Sequence, residues 1–375
     1  MVAENLENLK RSIYDDLMRI PSDPYDPTSD SAFVIRDPLG VVLMISPWNV
    51  PIYCSLVYVA SAFAAGNTVI LKPSEYAASF SRLIAKLVRD YFEPELFAVV
   101  EGEIPEVTSL LEERFDCIIY TGNPSVAKIV MTAAAKHLTP VILELGGKNP
   151  VYIDSTADLE DAAEKVVFSK LFNAGQACIS SDYILITDDV KEQFIGKLKL
   201  AFIKHEPLKK DKLFARIINR IHFARLQKLI TSSKGRLLYK GDEPDEVLEN
   251  YFAPRILDVK VDDVLMSEEI FGPILPIVTV SSFEEAVTYI NSKEKPLAAY
   301  IFTKNSQLAT LFIKSTHSGG VTVNDVMKQV FLEYGPFGGV SNSGMGKVNG
   351  KFAFDNLTHA RSILVRNGLD ITPNL

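Results

Sequence analysis

The sequence predicts an α/β protein built on an open parallel sheet, with a second α/β series following it. Between residues 40 and 145, short aliphatic runs alternate with longer stretches of helical periodicity. The short runs are apolar almost throughout, as strands covered on both faces are. The chain has 375 residues, too long for one ordinary domain and suited to two or three. A chain of this length needs neither disulfides nor metal staples to fold.

The elements follow in order. Leu6, Leu9, Ile13, Leu17 and Ile20 recur at helical spacing and predict an amphipathic helix over 3–19. Pro21, Pro24 and Pro27 then end it in an extended arm. Strands are predicted at 40–46, 68–72, 96–100, 117–120 and 141–145, and helices at 52–65, 76–92, 105–114 and 124–137. The second series has helices at 158–172, 189–204 and 283–291, and strands at 273–280, 298–303 and 319–323. Glycines cluster at 335–346, and no internal repeat or heptad series is present.

Composition narrows the function. Hydrophobic residues at 47% and charged residues at 23% match soluble globular proteins. The net charge of -8 argues against nucleic acid or an anionic membrane surface as the main partner. Residues 38–71 carry no charge, but Pro47, Asn49, Pro51, Gly66 and Asn67 break the run, so it reads as a buried helix and strands. The N-terminus has no apolar h-region and the C-terminal GLDITPNL no hydrophobic tail, so neither a signal peptide nor a membrane anchor is expected. Three cysteines, Cys54, Cys117 and Cys178, fit a reducing compartment, and the predicted location is cytoplasmic.

Familiar short motifs are mostly missing. HExxH, CxxC, GxSxG and GxGxxG are all absent, so no metal site is expected and glycine spacing alone supports no dinucleotide site. Four polar islands stand out instead. Pro47-Trp48-Asn49-Val50-Pro51 ends a strand, where two prolines would aim the Asn49 amide or let it cap the next helix. Lys72-Pro73-Ser74-Glu75 also follows a strand, where open α/β sheets bind ligands; alternatively Ser74 and Glu75 open the next helix. Within VILELGGK, Glu144 is a buried carboxylate whose pKa should rise towards that of a general base; the alternative is a salt bridge to Lys148. In NAGQACIS, Cys178 follows a glycine turn, which suits partial exposure near a helix N-terminus and thiolate formation. Cys54 and Cys117 lie in apolar runs and read as core.

The motifs PWNVP, LKPSE, LELGGKNP, NAGQACIS, SEEIFGPILP and PFGGVSNSGMGK occur in the order and approximate spacing of the aldehyde dehydrogenase superfamily. The chain resembles its class 3 branch, with fatty and aromatic aldehydes as substrates, over nearly its whole length. Against that pattern it is shortened at the N-terminus. The resemblance implies a Rossmann-like cofactor domain at 1–144, a catalytic domain at 145–335, and a bridging arm from residues 24–37 and 336–375 that pairs two subunits as a homodimer.

It also implies roles. Cys178 would add to the aldehyde carbonyl, Glu144 would activate water, and Asn49 with the Cys178 N–H would form the oxyanion hole. Lys72 and Glu75 would hold the adenosine ribose of NAD or NADP. Gly122, Asn123, Ser125, Val126 and Ala127 would lie in the turn beside the cofactor, and Glu269 and Phe271 would position the nicotinamide and its ribose. The expected reaction is oxidation of aliphatic or aromatic aldehydes to acids through a thiohemiacetal and a thioester. Glu75 would accept from a ribose hydroxyl and repel a 2′-phosphate, so NAD should serve better than NADP. Three positions depart from the family pattern: Pro124 and Ala127 in the cofactor turn, and Val50 where class 3 has tyrosine.

Overall fold

The computed structural model describes residues 31–205, 214–332 and 335–366. The predicted helix at 3–19 and its proline arm lie outside them. Strand β1 (Ser31–Pro38) is followed by β2 (Val41–Ile45), a π-helical segment (Tyr53–Val57) and α1 (Tyr58–Ala64). Next come β3 (Thr68–Lys72), α2 (Ala78–Tyr91), β4 (Phe97–Val99) and α3 (Ile104–Glu112). They lead to β5 (Cys117–Gly122), α4 (Pro124–Ala135) and β6 (Val141–Leu145).

The second series runs β7 (Pro150–Ile153), α5 (Leu159–Leu171), β8 (Tyr183–Thr187), α6 (Asp188–His205) and α7 (Arg220–Ser232). It continues through β9 (Arg236–Lys240), β10 (Arg255–Val259), β11 (Ile274–Val280), α8 (Phe283–Asn291) and β12 (Ala298–Phe302). Helix α9 (Ser306–Ser315), β13 (Gly320–Val323), β14 (Gly344–Met345), α10 (Gly350–Asn356) and β15 (Thr358–Val365) follow.

The first sheet has the order β14-β6-β5-β2-β3-β4, and its five inner and late strands are parallel, with only β14 antiparallel. Strand order reverses between β2 and β5, the switch point at which such sheets open a crevice at their carboxyl ends. Alternation along β2 shows how both faces are covered. Val42 and Met44 join a core with Tyr58, Val59, Ile84 and Val88 of α1 and α2. Leu43 and Ile45 pack with Leu111, Val130 and Ala133 of α3 and α4. The second sheet has the order β13-β12-β7-β8-β11-β10-β9, with β9 as its antiparallel edge. Its core is continuous with that of α1 and α2 through Val151, Ile153, Ile184 and Phe194.

Strands 68–72 and 141–145 and helix 283–291 fall where the sequence predicts them. The structure adds β7, β8, β9 and β10, which the sequence reading leaves as connections. The expected arm at 336–375 divides. Its Gly344 and Met345 pair with Glu144 and Leu143 of β6, and α10 packs on α1, so that part belongs to the first sheet. Only β15 leaves it, pairing antiparallel with β1 as a separate two-stranded sheet.

Phe194 on α6 is fully buried between α5 and the second sheet. Phe194→Ala should cost about 3–5 kcal/mol, seen as a lower denaturant midpoint. Turnover per folded molecule should stay at the wild-type level, because the ring does not reach the crevice.

Candidate active site

Four segments converge at the carboxyl edge of the first sheet. Asn49 follows β2, Lys72 ends β3, Gly122 ends β5 and Glu144 lies in β6. The nucleophile candidate arrives from the other sheet. Helix α5 runs into a short 3-10 turn (Phe172–Gly175) in which Asn173, Ala174 and Gly175 have φ of 49°, 54° and 74°. Left-handed backbone is costly for alanine and free for glycine. At Gly175 a Cβ would also come within 2.4 Å of the Gly272 carbonyl. These residues turn the chain into Gln176-Ala177-Cys178, and the Ser180 N–H closes a turn on the Ala177 carbonyl at 2.9 Å.

The surrounding amides fix this turn. Asn49 Nδ2 donates to the Gln176 carbonyl at 3.1 Å, as does Asn173 Nδ2, which also donates to the Asn49 carbonyl at 3.0 Å. The bond aims the Asn49 amide across the crevice, so it does not cap the helix that follows. An amide nitrogen carries two hydrogens, so one Asn49 N–H remains for an oxyanion. Cys178 is partly exposed, and a cleft of about 380 Å³ opens beside the turn, lined by Asn49, Val50, Leu171, Phe172, Phe214 and Ala215.

The sequence places Cys178 near a helix N-terminus, where thiolate is favoured. The structure corrects this: the residue lies beyond the C-terminal end of α5, and no helix dipole helps it. Burial pushes its thiol well above the ordinary range, with Cys54, Glu269 and Glu144 adding to the rise and its own backbone N–H opposing it. Cys54 and Cys117 are buried core thiols, as expected.

Glu144 is buried at 3% exposure, and neither carboxylate oxygen has a hydrogen-bond partner. Burial raises it well above the usual carboxylate range, and Lys347 only partly offsets this. The alternative salt bridge to Lys148 does not form, because Lys148 pairs with Asp182 and donates to the Glu268 carbonyl at 2.9 Å. Glu269 is pushed up to about 8 by burial first and Asp182 second, while the Gly147 N–H, Lys148 and Arg225 pull it down. The Phe271 ring meets Trp48, the neighbour of Asn49, edge-on at 5.5 Å.

The remaining predicted residues line the outer crevice. Lys72 is buried, donating to the Pro73 carbonyl at 2.6 Å and lying 3.5 Å from Glu75. Ser74 does accept from the Tyr76 N–H, as the helix-opening alternative requires. Asn123 caps α4 by accepting from the Val126 N–H at 2.9 Å, with Pro124 in the first turn and Ser125 exposed. Within α4, Ala127 is buried and Val126 half-buried, so these two pack the helix against the sheet.

The aldehyde dehydrogenase family model matches residues 3–363. The chain belongs to the aldehyde dehydrogenase family. It is therefore an oxidoreductase acting on the aldehyde group. It is 46% identical over 340 residues to the dimeric NADP-preferring aldehyde dehydrogenase of Canis lupus familiaris, covering 90% of this chain and 74% of that one. It is 47% identical to aldehyde dehydrogenase family 3 member A2 of Mus musculus, covering 90% and 69%. Among solved structures, the substrate-bound state of Staphylococcus aureus AldH superposes with a TM-score of 0.92 at 34% identity, covering 100% and 82%. A Mycobacterium tuberculosis aldehyde dehydrogenase complexed with NAD+ superposes with a TM-score of 0.87 at 26% identity, covering 99% and 78%.

Sequence reasoning gave no role to several residues that frame this enzyme's site: Asn149 and Tyr300, and also Trp48 and Asn173, which it quoted only as parts of polar islands. The available signal was a polar residue inside an apolar context, as at Asn149 between GGK and PVYI.

The raised acids set a pH dependence. A carboxyl whose folded pKa lies above its unfolded value binds more protons in the folded state, so stability falls as pH rises through that window. Glu144→Gln removes this penalty. It should raise Tm at pH 8 more than at pH 5, by about 1 °C for each kcal/mol relieved in a chain of this length, as read by calorimetry. An equal shift at both pH values would mean that Glu144 does not titrate abnormally.

Proposed function

We propose that Cys178 is the nucleophile, Glu144 the deacylation base and Asn49 the oxyanion donor of an NAD(P)-dependent aldehyde oxidation. One observation carries this reading: a partly exposed thiol shares a crevice with an aimed amide donor and with a buried carboxylate that has no structural partner. A buried carboxylate without partners costs stability, and a proton-transfer role accounts for it.

The thiolate of Cys178 adds to the aldehyde carbonyl, and the developing oxyanion is met by the free Asn49 N–H and the Cys178 N–H. Bound there, an oxidised nicotinamide would supply the hydride acceptor needed for the Cys178 thiohemiacetal to become a thioester. Glu144 then takes a proton from water, the water oxygen bonds to the acyl carbon, and Cys178 leaves as thiolate with the carboxylic acid. The crevice fits a dinucleotide. It lies at the switch point of a parallel sheet, with the exposed N-terminal turn of α4 on one side and Lys72 and Glu75 on the other. Lys72 and Glu75 would hold the adenosine ribose, and Gly122, Asn123 and Ser125 would border the diphosphate. Glu269 and Phe271 would hold the nicotinamide ribose and ring.

The two large sheets support a division into a cofactor part and a catalytic part near residue 145, and the β1–β15 sheet supports an arm reduced to those two strands, since Gly344 and Met345 join the first sheet. A homodimer is supported by the name of the canine relative. It is supported too by the β1–β15 ladder, since a two-stranded sheet leaves both edges unpaired and is marginal alone. A cytoplasmic location is supported by the unpaired state of all three cysteines.

Cys178→Ala should abolish turnover, because no thiohemiacetal can form. Glu144→Gln should still acylate Cys178 and release about one NADH per site, then stall, with deacylation slowed about 10²–10⁴-fold and the adduct visible by intact mass. Wild-type turnover in Glu144→Gln, or an adduct on Cys54 or Cys117, would overturn the assignment.

Cofactor preference should follow Glu75. Wild-type enzyme should be more efficient with NAD than with NADP. Glu75→Gln should raise kcat/KM for NADP relative to NAD by roughly tenfold, in line with charge repulsion of a few kcal/mol at most. Steady-state assays with both cofactors check this, and an unchanged ratio would remove Glu75 from the ribose site.

A further inference from the structure

We propose that Asn149 is a positioning residue for the aldehyde oxidation, acting with Tyr300 to hold the Cys178 turn by its carbonyl groups. The proposal rests on the reading of Cys178 as the nucleophile.

Asn149 is the last residue of the link between the Glu144 strand and β7, and it is 1% exposed. Its amide is fully used. Nδ2 donates to the Cys178 carbonyl at 2.8 Å and to the Ser180 carbonyl at 3.0 Å, and Oδ1 accepts from the Ala298 N–H at 2.9 Å. Its own carbonyl accepts from the Asp182 N–H at 2.9 Å. Between those two carbonyls, the Ile179 carbonyl accepts from the Tyr300 hydroxyl at 2.6 Å. That hydroxyl accepts in turn from Gln329 Nε2 at 3.1 Å and the Met327 N–H at 3.3 Å.

Three consecutive carbonyls, of residues 178, 179 and 180, are thus gripped from β12 and the start of β7. With the Ala177 carbonyl closing the turn on the Ser180 N–H, every acceptor of the turn is tied down. The Cys178 N–H is left on the thiol side. The Gln176 carbonyl before the turn is held separately, by Asn49 and Asn173. The nucleophile therefore stands on a peptide that can neither rotate nor recoil, and Asn149 joins it to the strand that carries Glu144. A neighbouring Asn or Gln acting only as a core polar group would satisfy one segment; this one ties the nucleophile turn, β12 and the Glu144 link at once.

Misplacement by about 1 Å costs a reaction on the order of 10²-fold, so loosening the turn should lower kcat while leaving dinucleotide binding nearly intact. Asn149→Ala leaves two buried carbonyls and an N–H without partners, which costs several kcal/mol and can prevent folding. Asn149→Ser keeps one donor, and Tyr300→Phe removes one hydroxyl while keeping the ring; these two are the decisive variants.

The full chain of each is assayed for kcat and for KM of aldehyde and NAD. The pH dependence of iodoacetamide alkylation at Cys178 is followed in parallel by mass spectrometry. Both variants should lose about 10–100-fold in kcat with NAD KM within about threefold. Alkylation should move to lower pH, because a loosened turn lets water reach the thiol. The double variant should lose less than the product of the single losses, as residues gripping one turn do. Wild-type kcat per active site with an unmoved alkylation profile, and only a lower Tm, would overturn the positioning role. Full turnover in Cys178→Ala would instead remove the nucleophile assignment beneath it.

Discussion

Only four residues, 146–149, connect the last parallel strand of the first sheet to the first strand of the second. That short link is the constraint on which the rest of the site depends. At about 3.3–3.6 Å per residue, the five steps from Leu145 to Pro150 hold the ends of the two sheets within some 18 Å of each other. The parts of the crevice that come from different sheets must therefore meet beside it. Its glycines are small for a reason: a Cβ on Gly146 would lie 2.3 Å from the Glu269 carboxylate, and one on Gly147 would lie 2.8 Å from the Pro296 backbone. Lys148 reaches Asp182, which accepts from the Ile270 N–H at 2.9 Å. Each residue of the link thus fixes one neighbour: the Glu269 loop, the segment leading into β12, the chain after Cys178, and the Cys178 turn itself.

The same convergence sets the electrostatics. Burial raises two carboxyls and a thiol at the crevice, and both carboxylates add to the rise of Cys178. Glu144 and Glu269 both rise, Cys178 rises with them, and the buried Lys170 falls to about 8 under desolvation, opposed by Asp182. The neutral forms are favoured. For Cys178, the proposed nucleophile, that limits reaction with stray electrophiles, which a thiolate would attack. It also explains why Glu144 keeps both oxygens unpaired: a hydrogen bond to the ionised form would lower its basicity as well as its pKa.

Much of this was legible in the sequence because local pattern and tertiary burial agreed. TVILK and VILEL are uninterrupted apolar runs between helices, and their bounds fall where they were predicted. PVYI and YILIT belong to the same class, yet they follow GGKN and ISSD, where polar residues mask the start of a strand. RLLYK is an edge strand with charged ends, and GM is a strand only because β6 offers it a partner 200 residues away. The ladder of β1 with β15 joins residues 320 or more apart, a pairing that no local periodicity encodes. At the site, the residue types of Glu144 and Cys178 pointed to the roles proposed for them above. The helix N-terminus expected beside Cys178 did not exist, because the glycine turn leads out of one helix and into a strand. Asn149 gave little sign, since an asparagine before a proline reads first as a turn residue.

Phe271 shows how far the crevice overrides local preference. Its φ of 48° is unusual for a bulky side chain, and such backbone persists only where the surroundings determine it. Gly272 follows in extended contact with Leu226 of α7, and its carbonyl abuts Gly175 of the nucleophile turn. Arg225, one residue earlier on α7, donates to the Ile270 carbonyl at 2.6 Å. Helix α7 and the turn before Cys178 thus press on the loop from two sides, and the left-handed residue lets the chain pass between them. The ring is turned onto Trp48, whose other neighbour is His222 of α7 at 5.6 Å. Trp48 precedes the Asn49 amide. The strain at Phe271 therefore locks the loop of one sheet to the Asn49 segment of the other, across the gap that the four-residue link leaves open.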